Sequence, residues 1–240
     1  MSSHIDGYQM KKCTFAWFSV FLVALTISAQ GKKEPSYGGT PLSALVKQLS
    51  HKDAAIRQIA ARDIGRIGPT AKAAAPYLVK SFKDTDGLVR VRAAYSHWVV
   101  TENGKIAAHF LQNSLKDSDA DVRLSAVEAL SDMAKKVHEI LPALMIALKD
   151  KDSRVLLTAV EATGKAGPVA KAAVPALISI AKDYQNTACS PAMKALGEIG
   201  PDAKEAVPVL LEAAKLEEFR LTVVGALLKI DPEAAKRVGN

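Results

Sequence analysis

The side chains best able to do chemistry in this chain are few and scattered. Past residue 30 they are four histidines, His51, His97, His109 and His138, and one cysteine, Cys189. A metal centre needs several His, Cys or carboxylate ligands converging on one ion, and these are spread along the chain. HExxH, GxSxG and Gly-rich phosphate-loop motifs do not occur. Asp86 with Arg90, and Asp119 with Arg123, lie four apart at expected helix starts, where a structural role outweighs acid–base catalysis. The residue types therefore favour a protein without a catalytic centre, a metal or a cofactor.

What does recur is a spacing. LKDSDADVRLSAVEAL (115–130) has counterparts 33 residues earlier, FKDTDGLVRVRAAYSH (82–97), and 33 later, LKDKDSRVLLTAVEAT (148–163). Pro142, Pro175 and Pro208 keep the same step, with His109 in the missing slot; Asp84, Asp117, Asp150 and Asp183 form a second column. Asp53, Asp86, Asp119 and Asp152 form a third, and Ala60, Ala93, Ala126, Ala159 and Ala192 another. A fixed period of this length marks a stack of small repeats.

Within one unit the apolar spacing is helical. Leu45, Leu78, Leu111, Leu144, Leu177 and Leu210 each precede a second apolar or small residue by four, which puts both on one helix face. Val122, Ala126, Ala129, Leu130 and Met133 mark a second helix. Each unit is thus expected to be two antiparallel helices. The KDxD link supplies an Asp to cap the second helix, and the recurring Pro belongs in the first turn of the first. The fold class is all-α: an α-solenoid of about six two-helix repeats with a 33-residue period, containing about twelve helices from 42 to 230 and no sheet.

IGPTAKAAAPYL (67–78), AGPVAKAAVPAL (166–177), IGPDAKEAVPVL (199–210) and the pairs Val89-Arg90 and Val122-Arg123 carry a family likeness. Over residues 42–240 the chain resembles HEAT repeats, and within them the HEAT-like repeats named after phycobilisome lyases. That resemblance implies a ladder of Asp and Arg side chains between repeats, and second helices lining the concave side. It also raises an alternative, a lyase or cofactor-handling chaperone of the phycobilin lyase type. One HEAT-type family binds iron through several His-Glu pairs, but this chain has a single pair, His138-Glu139.

Residues 1–29 stand apart from the stack. Lys11 and Lys12 precede an apolar run, CTFAWFSVFLVALTI (13–27), and small residues follow at Ser28 and Ala29. This reads as a cleaved signal peptide, with the mature chain starting near Gln30 in the periplasm or outside the cell. An uncleaved membrane anchor over 13–29 is the alternative, and Met10 competes with Met1 as the start. Residues 30–41 read as a flexible leader, and 42–240 as the solenoid. With Cys13 removed, Cys189 can form no intrachain disulfide and reads as a small buried thiol. The chain carries a net +7, of which residues 1–30 hold a net +1 in Lys11, Lys12 and Asp6, so the rest carries +6. That charge is scattered, which argues against a nucleic-acid partner.

Function then rests on the groove columns. Arg62, Tyr95, Glu128, Glu161 and Lys194 form one stripe of the second helices. Repeat two departs most from the pattern, bringing Arg92, Tyr95 and Trp98 onto one helix. Aromatic and Arg side chains are favoured anchors at interfaces. Arg62, Arg92, Tyr95, Trp98 and Glu128 are the candidate protein-binding residues of an exported scaffold or adaptor. Tyr95 is expected to serve the groove and contribute little to stability.

Overall fold

A computed structural model of the chain describes residues 33–134 and 138–238. The expected signal peptide, 1–29, lies outside the described residues. From 42 to 230 the described chain forms twelve α-helices, paired into six repeats: α1 Leu42–Gln48 with α2 Ala54–Ile67, α3 Ala75–Ser81 with α4 Gly87–Thr101, and α5 Gly104–Ser114 with α6 Ala120–Met133. Then come α7 Leu141–Ala147 with α8 Ser153–Ala166, α9 Val174–Lys182 with α10 Cys189–Ile199, and α11 Val207–Ala213 with α12 Glu217–Ile230. A short helix, α13 (Pro232–Ala235), packs on α12.

The leucine column of the first helices and the alanine column of the second are buried throughout. Alanine at the centre of each repeat lets the two backbones approach closely. Second helices of successive repeats pack along one another, whereas first helices barely meet.

Local chemistry sets the helix boundaries. Asp53, Asp86, Asp119 and Asp152 cap their helices, accepting from the amides of Ala55, Val89, Asp121 and Arg154. Pro76, Pro142, Pro175 and Pro208 sit in the first turn of a helix, as the pattern required. Ahead of three of these the chain makes a 3-10 turn, Gly68–Ala74, Gly167–Ala173 and Gly200–Ala206. Each turn opens on a glycine with positive φ (76°, 65° and 79°), a conformation that would strain any residue with a Cβ. Where His109 replaces the proline, turn and helix fuse into the continuous α5, because no missing N–H interrupts the hydrogen-bond ladder.

Residues 33–41 are a correction to the sequence reading. Expected as flexible leader, they form an antiparallel ribbon, β1 (Ser36–Tyr37) with β2 (Thr40–Pro41), lying on α2. The Glu34 carboxylate accepts from the Ser43 amide at 2.6 Å, and the Tyr37 ring stacks under the Arg66 guanidinium. The make-up of the implied ladder is also corrected: Asp86 and Asp119 do not accept from its arginines, because their carboxylates cap helices. Each arginine instead donates to two carbonyls of its own link and to the next repeat's aspartate. Arg57 meets Asp84, Arg90 meets Asp117 and Arg123 meets Asp150, all at 2.7 Å. The ladder implied by the resemblance thus exists, with the other aspartate column as its acceptors.

Candidate functional site

The stack is least regular between repeats two and three. Gly65, Gly164 and Gly197 occupy equivalent positions on three second helices, each facing the next repeat. A Cβ at Gly65 would lie 2.4 Å from Ser96 Oγ, one at Gly164 would lie 3.1 Å from Ala195 Cα, and one at Gly197 would lie 2.8 Å from Ala226 Cα. Glycine there permits close packing of helix on helix. Repeat two holds Trp98 at this position. An indole cannot be accommodated at that separation, and α4 and α6 pack on each other far less than any other neighbouring pair of second helices.

The junction itself differs too. Instead of a Gly-Pro turn, the chain leaves α4 through Glu102, the single described non-glycine residue with positive φ (57°). Asn103 then caps α5, accepting from the Lys105 amide. The result is a cleft of about 580 Å³. It is lined by Pro69, by Tyr95, Trp98 and Val99 of α4, by Glu102 to Lys105 at the junction, and by Glu139.

Tyr95 and Trp98 meet edge to face, ring centres 5.5 Å apart. Both are half-buried against the core. The Tyr95 hydroxyl donates to the Asp132 carboxylate of repeat three at 3.1 Å. Burial, then the Asp132 charge, then the hydrogen bond disfavour the phenolate, and the phenol pKa is pushed up to about 12. Tyr95 therefore ties two repeats together as well as lining the cleft, so the expectation that it serves the groove alone needs amending.

The structure brings only Tyr95 and Trp98 of the candidate residues into this cleft. Arg62 donates to its neighbour Asp63 at 2.9 Å. Arg92 is half-buried on α4, and Glu128 stands exposed on α6, neither among the cleft's lining residues. The sequence reading placed Asp132 in a groove stripe but not among the binding residues, and it missed Glu102 as a lining residue and Glu139 as part of the cleft. The column 65, 98, 131, 164 and 197, which reads Gly, Trp, Ser, Gly, Gly, was the available signal at Trp98.

The groups first considered for chemistry take structural places. Cys189 is buried, its thiol 3.3 Å from the Ala181 carbonyl oxygen, and burial pushes its pKa up. His97 is buried with Nδ1 unpartnered and packs edge-on to Phe82 at 5.7 Å. His51 stands in the aspartate column of the first repeat, and its Nδ1 accepts from the Asp53 amide just as Asp84 accepts from Asp86. Among the described residues no three His, Cys, Asp or Glu side chains group as a metal site would, and no helix is long and apolar enough to cross a membrane.

Residues 107–190 match the family model of HEAT repeats. No curated protein matches the chain. Among solved structures, a designed armadillo repeat protein in complex with the peptide (KR)4 is similar at a TM-score of 0.60 and 21% identity, covering 83% of this chain and 99% of that one. Computationally designed armadillo repeat proteins for modular peptide recognition give 0.59 and 22%, covering 79% and 100%. An engineered protein gives 0.53 and 23%, covering 82% and 92%. At such identities the likeness is one of fold. The chain is an α-solenoid, with a segment that matches HEAT repeats and an architecture similar to designed armadillo arrays.

Proposed function

We propose that this chain is a non-catalytic binding scaffold that takes a peptide or protein segment on its inner face, anchored at the cleft between repeats two and three. The observation that carries this reading is Trp98 in place of a packing glycine. Close helix packing is given up there, and a half-buried Tyr–Trp pair is left lining an open cleft. In a solenoid each repeat contacts only its neighbours, so one irregular junction leaves the other repeats undisturbed. The similarity to designed arrays, one crystallised with a peptide and others made for peptide recognition, supports the same reading.

We further propose export, with residues 1–29 as the signal peptide. The support is Lys11-Lys12 ahead of the apolar run 13–27. Mass analysis of the N-terminus tests it: a mature chain starting near Gln30 is expected, and an intact Met1 or Met10 on soluble cytosolic protein would refute it. For binding, the test is a photo-crosslinker placed at Val99, with the captured protein identified by mass spectrometry. A partner cross-linked from Val99 but not from the exposed first-helix position Lys80 supports the cleft. Equal labelling from both, or labelling only from the inner faces of repeats four and five, removes it.

A further inference from the structure

The two ends of the stack differ in kind. In repeats two to five the residue facing the preceding repeat is Ser96, Ala129, Ala162 or Ala195. In repeat one that position is Asp63, held by Arg62 at 2.9 Å and approached by Arg66 at 3.9 Å. The ribbon 36–41 adds cover on α2 beside it. A charged, covered end resists stacking, as a terminal repeat should.

The last second helix, α12, shows the opposite. Ile199 to Ile230 is 31 residues, so Gly197 corresponds to Leu228, Ser190 to Leu221 and Met193 to Val224. In the inner repeats these columns pack on the following repeat. On α12 Val224 is half-buried, but the other two face solvent: Leu221 is 88% and Leu228 57% exposed. A Cβ at Gly225, between them, would meet nothing within 4 Å. Positions 221, 225 and 228 fall on one helix face, with the leucines about 10.5 Å apart along the axis. Exposed large apolar side chains aligned in this way mark an interaction surface.

We propose that this end of the stack is an interface between two copies of the chain, α12 of one packing antiparallel on α12 of the other about a two-fold axis near Gly225. The seam continues the apolar columns that join repeat to repeat, now meeting their own kind. A two-fold contact needs one self-complementary patch, and the exposed face of α12 is such a patch. Leu221 of each copy would pack beside Leu228 of the other, with Gly225 allowing close approach. Because Asp63 and the ribbon cover the other end, the contact closes at two copies and does not propagate into a fibre.

The test uses protein expressed from the full 240-residue sequence, with mass measured by sedimentation equilibrium over a concentration series. Twice the single-chain mass is expected. Leu221→Lys with Leu228→Lys should halve that mass, as should Leu221→Glu with Leu228→Glu, with the melting curve of each dilute sample unchanged in cooperativity. Mixing the Lys and Glu variants should restore the doubled mass. A wild-type protein of single-chain mass throughout, or a dimer that persists in both variants, overturns the proposal. Folded monomeric variants that fail to recombine on mixing overturn the antiparallel register.

Discussion

Arg123 holds Asp150 of the following repeat through two parallel hydrogen bonds, Nε to Oδ2 at 2.7 Å and Nη2 to Oδ1 at 3.0 Å. Its remaining nitrogen donates to the Asp117 and Ser118 carbonyls. Both side chains of the pair are only 8% exposed. Arg90 reaches Asp117 through a single nitrogen in a more open setting. Removing one partner of a buried pair strands the other, whereas an exposed pair contributes little. Arg123→Ala should therefore destabilise the stack by about 3 kcal/mol and Arg90→Ala by about 1 kcal/mol. Urea unfolding at neutral pH measures both, and equal losses would contradict the ranking.

The same pair sets an acid limit. Burial raises the Asp150 carboxyl, but the Arg123 hydrogen bonds, aided by the Asp152 amide, more than offset this and hold it below the ordinary carboxylate range. Asp84 beside Arg57 behaves alike. A depressed carboxyl contributes stability that is complete above its unfolded value, about 3.9, and is lost as pH falls through the folded one. Melting temperature should thus fall below about pH 4, and less steeply in Asp150→Asn, whose neutral midpoint is already lower.

His97 gives a second, higher pH dependence. Burial alone lowers its pKa, so the folded state holds it neutral. The unfolded chain takes up a proton near pH 6.5, and stability should decline as pH drops below that value. Leu130 and Leu196 hold the same column in other repeats. His97→Leu should leave stability at pH 8 unchanged or raise it by about 1 kcal/mol, since it removes an unpaired buried nitrogen. It should also flatten the decline between pH 6.5 and 5. A midpoint lowered at every pH would show that contact with Phe82 outweighs the orphaned atom.

Ala126 is fully buried at the centre of repeat three. Ala126→Leu should overpack it and cost about 1–3 kcal/mol, while Glu128→Ala, two residues on and exposed, should stay within about 0.5 kcal/mol. Thermal melts of both variants check the assigned faces.

Tyr95 separates binding from bracing. Tyr95→Phe keeps the ring and loses the bond to Asp132, which should cost about 1 kcal/mol of stability and leave partner capture intact. Trp98→Ala should weaken capture by more than about 1 kcal/mol. The Tyr95 phenol should ionise only near pH 12, later than an exposed tyrosine. Ultraviolet titration of wild type against Tyr95→Phe reads that step directly, and an unperturbed value would remove the Asp132 contact.

The repeat length, the helix pairing, the capping aspartates and the first-turn prolines were all legible from residue spacing. They are local: an Asp caps the helix that follows it, and a Pro acts on the turn that contains it. The leucine and alanine columns were legible too, because helical periodicity alone assigns their face. Three features needed the folded stack. The arginine partners lie 27 residues away in the next repeat, and spacing cannot reveal that each nearer aspartate is already spent on a helix end. The ribbon at 36–41 forms because it finds α2 to lie on, a tertiary contact without a periodic signature. The cleft brings α4 together with the α4–α5 junction and Glu139, residues whose meeting depends on how the repeats pack, which spacing along the chain does not set.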